Sequence, residues 1–232
     1  MNYYKDKTYL DCGMEIIMKR EINIEEISAN NLYDDNDMAR IGCNDCAGCS
    51  DCCHFSSDTI ILDPSDMYRL EKGLNMKFEE LYDKYISLRM VDGLSLPYLI
   101  VDEGKGCRLL SENGRCTIHE FRPGNCRLFP LARIYENGDY RYFVQKNQCT
   151  SDLRIKVKIK DWIGIADMRS YRRFLNTWHE FIKKEQEKLA NADNETRKAE
   201  IMKLLQVFYL TPYDLNRDFY EQFDERLLFT VG

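Results

Sequence analysis

Five cysteines occupy residues 43–53, which read Cys-Asn-Asp-Cys-Ala-Gly-Cys-Ser-Asp-Cys-Cys. Thiols this dense mean a disulfide knot, a metal site or an oxidation hazard, and the spacing speaks for metal. Two sulfurs on one tetrahedral ion, with metal–sulfur bonds of about 2.3 Å, lie about 3.8 Å apart. A C-x2-C turn brings two side chains to that separation and leaves the intervening amides free to hydrogen-bond the sulfurs. Here Cys43, Cys46, Cys49 and Cys52 are each three positions apart, and Cys53 follows directly. Adjacent side chains in a non-helical loop diverge, so Cys52 and Cys53 are expected to serve different metals, or one of them to be a spare. Two registers fit. Cys43, Cys46, Cys49 and Cys53 reproduce the C-x2-C-x2-C-x3-C run of bacterial iron–sulfur proteins, with His54 where a proline should follow. Cys46, Cys49, Cys52 and Cys53 make the other, and spacing does not choose between them.

Four further cysteines follow: Cys107, Cys116, Cys126 and Cys149. Cys107 and Cys116 flank an Asn113-Gly114 turn, Cys126 lies in the tight stretch Phe-Arg-Pro-Gly-Asn-Cys-Arg, and Cys149 comes after a second hairpin. Such positions let loops fold back onto the first cluster. Ordinary buried thiols are the plain alternative, but residues 151–232 hold no cysteine at all, so the concentration argues against it. His54 and His119 stand near cysteines and could each replace a thiolate; His179, beside Trp178, reads as structural. From Gly104 to Ile134 six cations face two acids, a local balance of +4 in a chain of net charge -6. Excess thiolate needs compensating charge or amide donors, which makes Arg122 and Arg127 candidate cofactor-binding residues. The same arginines would suit an anionic substrate, or simply be solvated.

These residues need elements to position them. The chain divides into an N-terminal lead-in (1–42), a cysteine-bearing region (43–150) and a mainly helical C-terminal extension (151–232). Thr59 to Leu62 suits a short buried strand. Asp63 is a good N-cap, Pro64 fits the first helical position and Asp66 the first turn, so a helix should run through Met67, Leu70 and Glu71 and stop near Gly73. Phe78, Leu81, Tyr82, Tyr85 and Leu88 at helical spacing predict a second helix from Phe78 to Met90, ended by Gly93. Asn113-Gly114 and Asn137-Gly138 predict hairpins over 107–116 and 133–144. Residues 154–160 alternate, with Ile155, Val157 and Ile159 on one face; this predicts a half-buried strand whose lysines blunt an edge, ahead of an anion-binding ribbon. Tyr171, Phe174, Leu175, Trp178, Phe181 and Ile182 form a core-facing helical stripe, and another helix should span Glu195 to Leu210, before Pro212.

Composition sets the class. With 232 residues, 44% hydrophobic and 31% charged, the chain is globular rather than disordered. A pI near 5.3 makes nucleic acid or an anionic membrane a poor default partner. The first residues show no apolar signal core, and no run reaches the roughly 18 apolar residues that a span requires. The expectation is a cytoplasmic protein. There thiols stay reduced, and a cysteine cluster points to metal or catalysis rather than disulfides.

The order Cys46-Ala-Gly-Cys49-Ser-Asp-Cys52-Cys53, Ile61-Leu62-Asp63-Pro64, Gly106-Cys107, Gly114-Arg115-Cys116-Thr-Ile118-His119 and Arg122-Pro123-Gly124-Asn125-Cys126-Arg127-Leu128-Phe129-Pro130 resembles the YkgJ-type cysteine-cluster family, which carries the CxxCxxCC domain. The resemblance covers about residues 43–150. It implies eight family cysteines, Cys46, Cys49, Cys52, Cys53, Cys107, Cys116, Cys126 and Cys149, with Cys43 as an accessory ligand and Cys12 outside the pattern. Flagellin lysine N-methylases are similar to this family, so a protein-modifying enzyme is one reading. Against it, the chain is short and shows no Gly-rich strand–turn–helix for a nucleotide cofactor.

The expected fold is α+β: a small, irregular domain with short hairpins, stapled by cysteine-bound metal, followed by the helical region. Metal binding should be coupled to folding. The expected cofactor is an iron–sulfur cluster, with zinc as the alternative, since eight thiolates supply two four-cysteine centres of either type. The functions that follow are electron transfer or redox sensing, a structural zinc module whose helical tail binds a protein partner, or a side-chain-modifying enzyme.

Overall fold

The computed structural model describes residues 31–42, 49–55, 60–146, 149 and 155–230. Strand β1 (Met38–Gly42) precedes the cysteines, and a single helical turn, α1 (Cys52–Phe55), carries two of them. Helix α2 (Pro64–Leu74) begins as its sequence dictates. The Asp66 N–H donates to Asp63 Oδ1 at 2.9 Å, and the Asp63 N–H donates back to Asp66 Oδ2 at 3.3 Å. Two orphan donors are thereby satisfied, with Pro64 where no donor is needed. Asn75, at φ 51°, closes the helix. Just before it, residues 60–62 run beside a strand: the Leu62 N–H donates to the Pro97 carbonyl, and the Leu99 N–H to that of Ile60. Thr59 lies outside the described residues.

The expected helix over 78–90 is corrected. Helix α3 (Phe78–Leu81) stops after one turn, and β2 (Ile86–Val91) pairs antiparallel with β3 (Leu94–Leu99). Asp83, at φ 58°, breaks the helix, and Asp92-Gly93, at φ 44° and 87°, is the tip of a hairpin rather than a helix stop. Of the apolar positions behind that expectation, Phe78 and Leu81 are buried and Tyr82 is exposed, while Ile86 is buried as the first residue of β2.

Strands β4 (Val101–Asp102) and β5 (Gly106–Cys107) form a minimal ladder. The 107–116 hairpin is looser than expected. Leu110 bridges Cys116, the Ser111 N–H donates to the Arg115 carbonyl, and Gly114 alone takes the left-handed turn position, at φ 68°. A 3-10 turn (His119–Phe121) leads to α4 (Gly124–Leu128). The second hairpin is as expected: β6 (Leu131–Glu136) and β7 (Asp139–Val144) meet around Asn137-Gly138.

Strand β8 (Ile155–Lys158) pairs antiparallel with β1, Met38 opposite Lys158 and Gly42 opposite Ile155. The expected alternation is only partly kept. Ile155 is exposed at the strand end, while Ile159 is buried because it opens α5 (Ile159–Ile163). Helices α6 (Met168–Ala190), α7 (Asn194–Leu205), continued by a π-helical turn (Gln206–Leu210), and α8 (Phe219–Leu228) complete the fold. The α6 stripe is buried as its spacing predicts. Trp178 lies 5.0 Å from the ring of Phe208, and Phe174 lies 4.7 Å from that of Phe223. The tail is tied to the cysteine-bearing region by hydrogen bonds from Tyr209 Oη to the Leu62 carbonyl and from Tyr68 Oη to that of Arg217, both at 3.1 Å. The architecture is α+β, with small antiparallel hairpins and a helical C-terminal region. No described helix is long and apolar enough to cross a membrane.

Candidate metal centre

Glycines set the approach of the cysteine-bearing loops. Gly106 takes φ 89°, and a Cβ there would stand 2.6 Å from His54 Nδ1 and 3.1 Å from the Cys53 carbonyl oxygen. Only glycine allows α1 to lie this close to β5, which carries Cys107. A Cβ on Gly114 would come within 3.6 Å of Ser50 Oγ, so the turn before Cys116 lies beside the residue after Cys49. Cys126 is positioned by its neighbours. The Gly124 N–H donates to Asp66 Oδ1 at 2.7 Å, Asn125 Nδ2 donates to the Ile61 carbonyl at 3.4 Å, and a Cβ on Gly124 would meet Tyr171 Oη at 2.7 Å. The first turn of α2 thus holds α4 in place.

The thiols meet electrostatically. Cys52 hydrogen-bonds Cys53, and this bond, with burial and the Cys53 charge, pushes the Cys52 thiol well above its usual range. The pair, expected to diverge in a non-helical loop, instead sits on α1 with its thiols in contact. Burial raises the Cys107 thiol, with Cys116 and Cys52 adding to it. Burial raises Cys116, with Cys52 adding and Arg122 opposing. Cys126 is pushed well above its range by burial, then by Cys107, Cys116, Cys52 and Asp66. Cys52, Cys107, Cys116 and Cys126, from four separate segments, therefore feel one another. Two of them also accept an amide two residues on: the Leu109 N–H points at Cys107 Sγ at 3.5 Å, and the Ile118 N–H at Cys116.

This donor set fits a thiophilic metal. Thiols held protonated by the Cys52–Cys53 bond and by burial, with one another's charge adding, become thiolates once a cation stands among them, and N–H···S bonds orient and tune such ligands. Among the described residues no three Cys, His, Asp or Glu side chains are close enough to form a finished coordination sphere. No disulfide joins any two of the seven described cysteines, all of them half-buried. Cys49 lies just before α1, and Cys149 after β7. Cys12, Cys43 and Cys46 lie outside the described residues.

The remaining candidates fall into separate roles. His119 Nε2 accepts from Arg122 Nη1 at 2.6 Å, which commits that nitrogen to a cation. His54 packs on Gly106 and is exposed, with Nε2 3.5 Å from Ser50 Oγ. His179 stacks on Tyr135, ring centroids 3.8 Å apart, as a structural residue should. Of the local cations, Arg108 pairs with Asp102 at 2.8 Å and Arg133 is buried against Tyr171 Oη. Arg122 faces the thiols, opposing the rise at Cys52 and Cys116. Arg127 donates to the carbonyls of Arg122, Ile163 and Glu120, and burial beside Arg69 and Arg122 lowers it to about 10. Sequence reasoning missed Gly106 and the Leu109 and Ile118 amides. The pair Gly106-Cys107 was the available signal for the first; backbone amides carry no residue-type signal.

Comparison with known proteins agrees with this geometry. Residues 45–150 match the family model CxxCxxCC, described as a "putative zinc- or iron-chelating domain". No curated protein and no solved structure matches the chain. Metal chelation is supported by the family match. The resemblance read from the order of the cysteines is borne out by this match over residues 45–150.

Proposed function

We propose that this protein binds an iron–sulfur cluster and serves cytoplasmic electron transfer or redox sensing. The ligands would come from Cys46, Cys49, Cys52, Cys53, Cys107, Cys116, Cys126 and Cys149, with Cys43 as an accessory. One observation carries the reading: the loops that bear these cysteines close on one another, Gly106 against His54 and the Cys53 carbonyl and Gly114 beside Ser50, and Cys52, Cys107, Cys116 and Cys126 come from four separate segments. When bound, a cluster supplies one-electron exchange. The chain's own part is to hold thiolates out of bulk water, to direct the Leu109 and Ile118 amides at sulfur, and to set Arg122 against the thiolate charge. Amide donors and a nearby cation favour the more reduced, more negative state of a thiolate-bound centre.

The test is elemental analysis and visible absorption of protein purified without air. Iron and inorganic sulfide, with visible absorption that bleaches on reduction, are expected. Cys116→Ser and Cys126→Ser should each lower iron per chain. Colourless protein holding stoichiometric zinc would replace this reading with a structural zinc module on the same ligands.

A further inference from the structure

A second site lies beside the thiols. Helix α2 and the stretch from His119 to Arg127 enclose a cleft of about 380 Å³. Its walls carry Arg69 and Lys72 from one side and Arg122 and Arg127 from the other, with Tyr68 and Phe121 as aromatic surfaces. Glu120 is the one acidic residue in its lining. None of the four cations takes part in an ion pair between described residues. Two buried guanidinium nitrogens, Arg69 Nη1 and Arg122 Nε, have no hydrogen-bond partner. A buried donor left unmade is costly, and here two such donors belong to residues of one cleft.

The four cations are not equivalent. Arg127 is spent on three backbone carbonyls and contributes charge and a fixed wall. Arg122 is steadied by His119, and Arg69 lies over the Tyr171 ring at 5.6 Å. Lys72 is exposed at the rim, 5.6 Å from the Tyr68 ring centre. Asp63 and Asp66 are the buried carboxyls that feel Arg69; burial raises both, Asp66 to about 7, so they offset only part of that charge. Guanidinium groups present paired N–H donors that match phosphoryl oxygens. A formal excess of three positive charges suits a dianion better than a single carboxylate. The volume falls in the range of small-molecule sites, about 300–1,000 Å³.

We propose that this cleft binds the phosphoryl group of a small molecule, held by Arg69, Lys72 and Arg122, next to the metal centre. The proposal goes beyond the metal reading and stands whichever metal is bound. Because Arg122 acts on both the cleft and the thiols, the ligand would lie within the electrostatic reach of that centre.

The experiment is calorimetric titration of the metal-loaded, full-length protein with inorganic phosphate at constant ionic strength. Saturable binding at one site per chain is expected. Lys72→Glu, at an exposed position, should weaken it by about tenfold or more, equivalent to about 1.4 kcal/mol. Lys203→Glu on α7 makes the same charge change on an exposed position away from the cleft lining and should leave affinity unchanged. Metal per chain, measured alongside, should be the same in all three proteins, which separates this test from that of the cluster. Phenyl phosphate and inorganic phosphate are compared to identify the source. Tighter binding of the ester assigns an esterified ligand, equal binding assigns free phosphate, and both uphold the site. Absence of saturable binding overturns the proposal, as does equal weakening by Lys203→Glu, or acetate binding as tightly as phosphate.

Discussion

The thiol-bearing loops and the helical tail are built on opposite plans. In α6, Tyr171, Phe174, Leu175, Trp178, Ile182 and Leu189 are all buried, and their rings interlock with those of the π-helical turn and α8. Between Asp102 and Arg127 the buried apolar side chains are Leu109, Ile118 and Pro123, and the one regular ladder is two residues long. The tail holds itself by area removed from water. The loops are held by left-handed glycines, single hydrogen bonds and contacts to α2, and they lack the apolar area to offset their own ordering entropy. On the proposed function, the bond between sulfur and metal supplies what remains. The two plans also respond to different perturbations.

Metal removal is the largest of these. Structural metal sites in small domains contribute on the order of 10 kcal/mol to folding. Anaerobic chelation should therefore strip amide-exchange protection from residues 102–127 while leaving it in α6; equal loss in both regions would abolish the contrast. Next comes the tail's own anchor. Trp178→Ala should cost about 3–5 kcal/mol, read as a lower urea midpoint, with metal per folded chain unchanged.

A finer cut compares two glycines of nearly the same φ. Gly106, at 89°, is crowded by His54 and Cys53, whereas Gly93, at 87°, faces open space. Alanine at either position should carry a backbone cost of about 1–2 kcal/mol. Gly106→Ala alone should also accelerate metal loss to a chelator, and matching rates would remove Gly106 from the site.

The smallest expected effect is pH dependence. Burial raises Asp66 from 3.8, and Glu71 from 4.5, each to about 7, and raises Asp63 as well. The folded chain then binds more protons than the unfolded one between those values. This contribution to stability is present at the acidic end and declines as pH rises from about 4 to 7. Thermal midpoints across that window, with Asp66→Asn expected to flatten the slope, provide the measurement.

Much of this was legible where local chemistry decides the outcome. Asp63-Pro64-Ser65-Asp66 specifies a helix start through its own side chains, and Asn137-Gly138 specifies a hairpin through positive φ. Residues 78–90 misled because Phe78, Leu81, Tyr85 and Leu88 satisfy a helical period, while the deciding features are Asp83 and the pairing of Ile86 with Leu99. Helix α8 was overlooked although Asp218 caps it and Phe219 and Phe223 recur one turn apart. At the site, residue type points to sulfur as the donor, and spacing groups Cys52 with its neighbours. The approach of Cys107, Cys116 and Cys126 depends on turns and on α2, far off in sequence. The cleft was hidden more deeply, because Arg69 and Lys72 read as ordinary surface cations of an amphipathic helix until the His119–Arg127 stretch is laid across them.

The pairing of Gly42 with Ile155 makes the chain a lariat. Everything from residue 43 to residue 154 leaves and returns through one doorway, whose two sides stand about 5 Å apart. Closing so long a loop carries an entropic cost that grows only slowly with its length, and the β1–β8 ladder meets it once, at the neck. A pull on the chain is therefore shared between that neck and the ties outside it, Tyr33 to Tyr142 ahead of Met38 and Tyr209 to Leu62 beyond Lys158.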